Sequence, residues 1–204
     1  TPVKFGISFT AKHLNQAGAL IHVFTDGTIQ LNHGGTEMGQ GLFVKVAQVV
    51  AHEFQVDIDQ IQIMSTSTEK VPNTSATAAS SGSDLNGMAA QRAARTIKDR
   101  LIAFLSEREK VPTEQIRFEA NQVHVADKVL SFKDVVSAAY MARISLSATG
   151  YYRTPKIHYD RAHHRGRPFF YFAYGAAVSE VEIDNLNVEN RVTRTDILHD
   201  VGRS

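Results

Sequence analysis

The sequence has no cysteine among its 204 residues. That absence excludes a disulfide framework, a thiolate zinc site and any iron–sulfur cluster held by thiolates of this chain. It also fits a reducing compartment. An excess of one charge sign is lacking too: 22 Lys+Arg stand against 21 Asp+Glu, a formal net charge of +1. Nucleic-acid and membrane-surface proteins need surplus Lys and Arg to hold polyanions, so the balance points to a small-molecule site or a protein partner. Long apolar runs are missing as well. The stretches 19–21 and 46–51 fall far short of the roughly 20 residues of a membrane-spanning helix. The chain opens without an initiator Met or a basic-then-apolar leader, and it closes just after an apolar run at 197–202. The expectation is a piece of a longer protein.

What is present is ordinary globular material, 43% hydrophobic and 21% charged, enough for a domain that buries roughly 70% of the surface its unfolded chain exposes. Residues 6–10, 19–25 and 28–32 are short β-rich runs, and Asp26-Gly27 is a two-residue hairpin signal between the last two. After a loop at 33–41, Phe43, Val46, Ala47, Val50 and Phe54 recur at helical spacing, while Lys45, Gln48, His52 and Glu53 take other faces. That spacing predicts an amphipathic helix over 42–55. Ile61 and Ile63 alternate with Gln60 and Gln62 as a short strand. Ten of the 21 residues 64–84 are Ser or Thr, which marks a loop.

A second helix follows, with Ser83 or Asp84 as N-cap and Ala90, Ala94, Ile97, Leu101 and Phe104 on one face, ending before Pro112. Residues 116–118 and 123–125 flank Ala120-Asn121-Gln122 as a hairpin. Ser131 with Asp134 reads as a capping box opening a helix to about Met141, and residues 112–143 are a candidate small lobe. Residues 144–152 return to strand pattern, 153–168 are basic and irregular, and 169–184 and 192–200 read as long strands. The fold class expected is α+β, with mixed sheets and packed helices.

Two loops could carry chemistry. The first, His33-Gly34-Gly35-Thr36-Glu37-Met38-Gly39-Gln40-Gly41, places four glycines in nine residues between a strand and a helix. Glycine lets backbone approach a ligand closely, and a first helical turn presents unpaired N–H groups to an anion or a polar ring. No Lys-Ser or Lys-Thr follows the last glycine and the G-x-G-x-x-G spacing is absent, so neither nucleotide motif applies. A ligand-free left-handed turn is the competing reading, with Gln40 favouring a ligand because an amide donates and accepts at once. The second loop, residues 73–84, is a run of small and hydroxyl side chains leading into a helix; a capped surface loop competes with a phosphate-binding one. His158, Asp160, His163 and His164 suggest a metal, but Arg153, Lys156, Arg161, Arg165 and Arg167 surround them. Cations repel a divalent metal, so an exposed loop is expected there. No carboxylate pair assigns an acid and a base, and no serine sits in a G-x-S-x-G elbow.

Taken in order, Lys4-Phe5-Gly6-Ile7-Ser8-Phe9-Thr10, Leu14-Asn15-Gln16-Ala17-Gly18-Ala19-Leu20, the strings at 33–41 and 71–84, Thr149-Gly150-Tyr151-Tyr152-Arg153-Thr154-Pro155 and the run 174–184 resemble the molybdenum-binding part of the xanthine dehydrogenase and aldehyde oxidase family. The likeness runs nearly end to end. It implies an internal piece, residues 1–204, of the molybdenum-cofactor-binding domain of a molybdenum hydroxylase, in which a molybdenum–pterin dithiolene serves hydroxylation of a purine. By the same resemblance Met38, Gly39 and Gln40 are the pterin-contacting loop, and Ala79, Ser80, Ser81 and Gly82 the loop beside the metal and the pterin phosphate. The resemblance implies that Ala79 is the residue nearest molybdenum. Phe9, Thr10, Ala78 and Ala79 resemble the family's substrate pocket, which implies that the Phe9 ring packs on the purine and the Thr10 hydroxyl bonds it.

Gly82 stands where some relatives have Ser, which puts one pterin contact in doubt. The family's general base, a Glu in a Gly-Glu motif, is expected beyond Ser204. Glu37 does not match it, so no catalytic residue is assigned in this piece, which is expected to be inactive alone. FAD and 2Fe-2S clusters are expected in other domains or subunits, within a cytoplasmic, oligomeric assembly that binds neither nucleic acid nor membrane. The strings 34–37, 77–79 and 152–155 look more like the xanthine-oxidising than the aldehyde-oxidising members. A cofactor-free interaction module is the alternative of a different class.

Overall fold

In the computed structural model, residues 1–71 and 73–200 are described; Pro72, within the string 71–84, and residues 201–204 lie outside them. The strands are β1 (Pro2–Ile7), β2 (Gln16–Val23), β3 (Ile29–His33), β4 (Ile61–Ile63), β5 (Ile116–Glu119), β6 (Gln122–Val125), β7 (Lys128–Ser131), β8 (Ser147–Arg153), β9 (His158–Asp160), β10 (Arg165–Arg167), β11 (Tyr171–Ile183) and β12 (Asn190–His199). The helices are α1 (Leu42–Phe54), α2 (Gly82–Glu109) and α3 (Phe132–Met141). The chain divides into a central unit, His13–Thr154, and a terminal unit made of Thr1–Lys12 with Pro155–Ser204. None of the described helices is long and apolar enough to cross a membrane.

In the central unit a four-stranded sheet has the order β4-β3-β2-β8. β3 and β4 are parallel, with Ile29 beside Ile61 and Leu31 beside Ile63, and parallel neighbours need a crossover, which α1 supplies. The apolar stripe that predicts α1 is the one it buries: Leu42, Val46, Ala47, Val50 and Phe54. α2 meets the sheet through small residues. Ala89, Ala90, Ala93 and Ala94 are fully buried and give way to Ile97, Leu101 and Leu105 further along. The sheet answers with Gly150 of β8, where a Cβ would lie 2.0 Å from the Ala89 carbonyl oxygen and 2.7 Å from the Ala93 nitrogen. Residues 112–143 supply β5-β6-β7 and α3, and their Phe118, Val123, Val125, Phe132 and Val136 belong to the same core cluster as α1 and α2. The terminal unit is an antiparallel sheet of order β1-β11-β12 with a β9–β10 hairpin beside it in sequence.

Several expectations are corrected in detail. The opening strand is Pro2–Ile7 rather than 6–10. The β2–β3 turn is not a two-residue one: Phe24 and Thr28 still pair and Gly27, at φ +92°, closes a three-residue loop, a geometry that favours glycine at its last position. Asp26 Oδ1 accepts from the Thr28 N–H and hydroxyl, fixing that loop. α2 starts earlier than Ser83 or Asp84, with Ser81 at the N-cap. The stretch 153–168 is not wholly irregular, since it contains β9 and β10. Ser131 is the N-cap of α3, the Asp134 N–H donating to Ser131 Oγ at 3.0 Å, which is the serine half of the expected capping box.

Candidate functional site

Both glycine-rich and Ser/Thr-rich loops lie in the central unit. The first leaves the carboxyl end of β3 and enters α1; the second ends at the start of α2. The carboxyl end of a strand feeding a helix is where α/β sheets commonly place ligands. The two loops lock together through glycines. A Cβ on Gly34 would sit 2.0 Å from the Thr74 hydroxyl oxygen, and one on Gly35 2.6 Å from Leu42 and 2.7 Å from Asn86. The Thr36 N–H donates to Thr77 Oγ1 at 2.9 Å, and Thr66 Oγ1 donates to the Gly35 carbonyl at 2.8 Å.

The tip of the first loop is braced from within. The Met38 N–H donates to Gln40 Oε1 at 2.6 Å, and Gln40 Nε2 donates to the Thr36 carbonyl at 2.9 Å. Gln40, read in the sequence as a ligand-facing amide, thus also shapes the loop. The sequence pattern suggested open amides at the start of α1; instead the Glu37 carboxylate accepts from Gly39, Gly41 and Phe43. Those N–H groups, Phe43 first, hold the Glu37 carboxyl below the usual carboxylate range.

His33 closes β3 and is 2% exposed. Its Nδ1 accepts from the Gly35 N–H at 3.1 Å, so the proton of the neutral ring sits on Nε2. That Nε2 and Asn86 Oδ1 are buried without a partner among the described residues. Burial pushes the His33 imidazole down to about 4 from 6.5. The unfolded chain therefore takes up this proton first as pH falls. The stabilisation by neutral His33 is complete above about pH 6.5 and is lost between there and pH 4, about 3 kcal/mol in all. Protease cleavage within residues 34–41 of the native protein should accelerate from pH 7 to pH 5. In His33→Asn, whose amide oxygen keeps an acceptor for Gly35, that acceleration should vanish; equal pH dependence in both proteins would remove His33 as its cause.

A cavity of about 350 Å³ opens where the two loops meet. Met38 and Gln40 of the first loop and Ala78, Ser80 and Gly82 of the second line it. Gly39, Ala79 and Ser81 belong to the same loops but do not line it. Ser81 is buried, its hydroxyl donating to the Ala78 carbonyl at 2.9 Å. Ala79 and Ser80 both have φ +54°, a left-handed pair that non-glycine residues adopt at a cost of about 1 kcal/mol or more each. Gly82 is not conformationally required: a Cβ there would make only ordinary contacts with Leu42 and Thr77, at 3.5 and 3.6 Å.

Leu42, Lys45, Thr77 and Ser83 complete the lining; Thr77 and Ser83 belong to the second loop read from the sequence, whereas Lys45 has no site role in that reading. Lys45 of α1 is the one charged group on the wall among the described residues, and Ser83 adds a hydroxyl at the first turn of α2. Periodicity places Lys45 off the apolar face of α1, and nothing in the pattern separates it from any solvated lysine. Of the expected substrate residues, Ala78 and Ala79 are in the central unit, whereas Phe9, half-buried, and Thr10, exposed, follow β1 in the terminal unit. Among the described residues no group of three or more His, Asp or Glu could hold a metal ion; Asp160 and His163 pair with each other at 2.7 Å instead.

A family profile described as "Molybdopterin cofactor-binding domain" matches residues 1–204. The chain is 49% identical over 203 residues to a xanthine dehydrogenase/oxidase of Felis catus and 47% identical over 206 residues to a xanthine dehydrogenase of Dictyostelium discoideum. Each match covers 100% of this chain and 14% of the relative, so the chain spans about a seventh of those proteins. Among solved structures, quinoline 2-oxidoreductase from Pseudomonas putida 86 superposes with a TM-score of 0.82 at 22% identity, covering 97% of this chain and 26% of that one. A Cu,Mo-CO dehydrogenase gives 0.81 at 20% identity, covering 98% and 25%. At such identities the likeness is one of fold.

Proposed function

From the premise that the chain belongs to the molybdopterin cofactor-binding domain family, we propose that it forms the pterin-holding wall of a molybdenum hydroxylase that oxidises hypoxanthine and xanthine to urate. The observation that carries this reading is the 350 Å³ cavity at the start of α2, whose wall joins apolar Met38, Leu42 and Ala78 to Gln40, the Thr77, Ser80 and Ser83 hydroxyls and Lys45, with no carboxylate among the described residues. Its size suits a small-molecule ligand, and its donors suit a ring with polar edges and a phosphate tail. The residues present therefore fit the group.

In this reading Lys45, the Ser80 and Ser83 hydroxyls and the first amides of α2 hold the phosphate, since the opening N–H groups of a helix have no acceptor within it. Met38, Gly39 and Gln40 flank the pterin, and Ser81 and Gly82 shape the turn that brings Ser80 to it. When bound, the molybdenum centre supplies the hydroxylation chemistry, with oxygen drawn from water. Ala79, nearest the metal, contributes a small side chain. Phe9 and Thr10 of the terminal unit are proposed purine contacts through a ring face and a hydroxyl, and Ala78 of the central unit is a proposed substrate contact with a small side chain. The proton-abstracting carboxylate, the FAD and the 2Fe-2S clusters belong to other parts of a cytoplasmic assembly, with no residue of this chain assigned acid–base work.

The purine reading is tested by turnover of the native protein on xanthine and on an aromatic aldehyde. Higher kcat/KM on xanthine is expected, together with a loss of roughly tenfold in Thr10→Ala, the worth of one ordinary hydrogen bond, at unchanged molybdenum content. Preference for the aldehyde, or loss of metal in Thr10→Ala, would overturn it.

A further inference from the structure

The first loop carries a device that the proposed ligand contacts do not use. Glu37 sits one residue before the Met38-Gly39-Gln40 tip, and its side chain folds back inside it. Oε1 accepts from the Gly39 N–H at 2.9 Å and the Gly41 N–H at 3.0 Å, while Oε2 accepts from the Phe43 N–H at 3.0 Å. Gly39 and Gly41 have φ of +95° and +74°, with open space where a Cβ would be. Packing does not hold that backbone. Hydrogen bonds to a charged acceptor do, and these are the stronger kind. No side chain of Gly41, the residue before α1, can cap the helix, so Glu37 takes that place from within the loop.

We infer that Glu37 is a positioning residue of the cofactor site: it fills the amide cluster at the start of α1, fixes the Met38–Gln40 tip beside the cavity, and leaves the start of α2 with Lys45 as the end that receives an anion. The inference rests on the pterin reading and assigns Glu37 no contact with the ligand and no part in proton transfer. An open α1 terminus would offer an anion two competing seats. With Glu37 in place there is one.

The test uses the native protein in wild-type, Glu37→Gln and Glu37→Ala forms, grown on molybdate. Molybdenum and pterin per folded protein, hydrogen exchange of the peptide spanning residues 36–44, and xanthine turnover per bound molybdenum are measured. In Glu37→Ala, exchange in that peptide should rise about tenfold or more and cofactor content fall severalfold, as expected when charge-assisted bonds are lost. Turnover per remaining molybdenum and KM should stay as in wild type. Glu37→Gln, which keeps one acceptor oxygen, should fall between.

A merely structural glutamate would lower yield or melting temperature without changing cofactor per folded protein, and that result would overturn the inference. So would full cofactor content in Glu37→Ala, or a change in KM with content intact. If Glu37→Ala does not fold, Glu37→Gln decides by the same measurements. Should wild type carry neither molybdenum nor pterin, the pterin reading fails by itself. The exchange arm then decides on Glu37 alone: faster exchange in the variants supports its hold on the loop, and unchanged exchange refutes it.

Discussion

Gly150→Val should abolish stable folding of the native protein. Even a single Cβ at this position would lie 2.0 Å from the Ala89 carbonyl oxygen, 2.7 Å from the Ala93 nitrogen and 3.1 Å from the Ala89 carbonyl carbon. All three are backbone atoms of α2, so no rotamer change makes room. β8 must leave the helix or the helix must shift, and α2 carries Ala89, Ala90, Ala93 and Ala94 at full burial against this sheet. Overpacking of a core costs typically 1–3 kcal/mol when side chains can adjust. Against fixed backbone, and with three added carbons, about 3 kcal/mol or more is expected, a large share of an ordinary domain's stability. Soluble yield and melting temperature read the effect, and Gly150→Ala should show a smaller loss of the same kind. Wild-type melting in either variant would mean that β8 and α2 do not approach as described.

Lys45→Glu should empty the cofactor site. The wall of the cavity carries one charge among the described residues, and reversing it turns attraction into repulsion toward a phosphate at the same place. A charge-assisted contact is worth about 1.5–3 kcal/mol, so reversal should weaken retention of the group by roughly 100-fold or more. Lys45→Arg keeps the charge and should retain most of the content, which separates charge from packing. Pterin released on denaturation and molybdenum by metal analysis give the readout. Full content of both in Lys45→Glu would place the phosphate elsewhere.

How far the sequence reveals this arrangement depends on the range of the interaction. α1 is legible because its buried face repeats at helical spacing, and α3 because Ser131 and Asp134 are three residues apart. The ends of elements are less so. α2 begins at Gly82 although its apolar pattern begins at Leu85, because the cap is set by the turn at 78–81 rather than by periodicity. β7 escapes notice because Val129 is exposed and the strand is an edge of its sheet. The β1–β11 pairing joins residues about 170 positions apart, with Pro2 beside Ala176 and Ile7 beside Tyr171. No local signal encodes that register.

The site shows the same division. Loop composition alone points to both loops, and the family resemblance names residues within them. Five of those residues line one cavity. The roles of Glu37 and Gln40 inside the first loop emerge only from hydrogen bonds to backbone amides, which carry no sequence pattern. Lys45 becomes notable only once α1 and α2 are seen to share a cavity wall.

The central claim, that this chain holds a molybdenum–pterin group, is tested most directly by the molybdenum and pterin content of the native protein containing it, purified without reconstitution after growth on molybdate. About one of each per chain is expected, because the two loops line one cavity with one anion seat. An intact, folded protein that consistently carries neither would contradict the account and leave the fold as an interaction module without its cofactor.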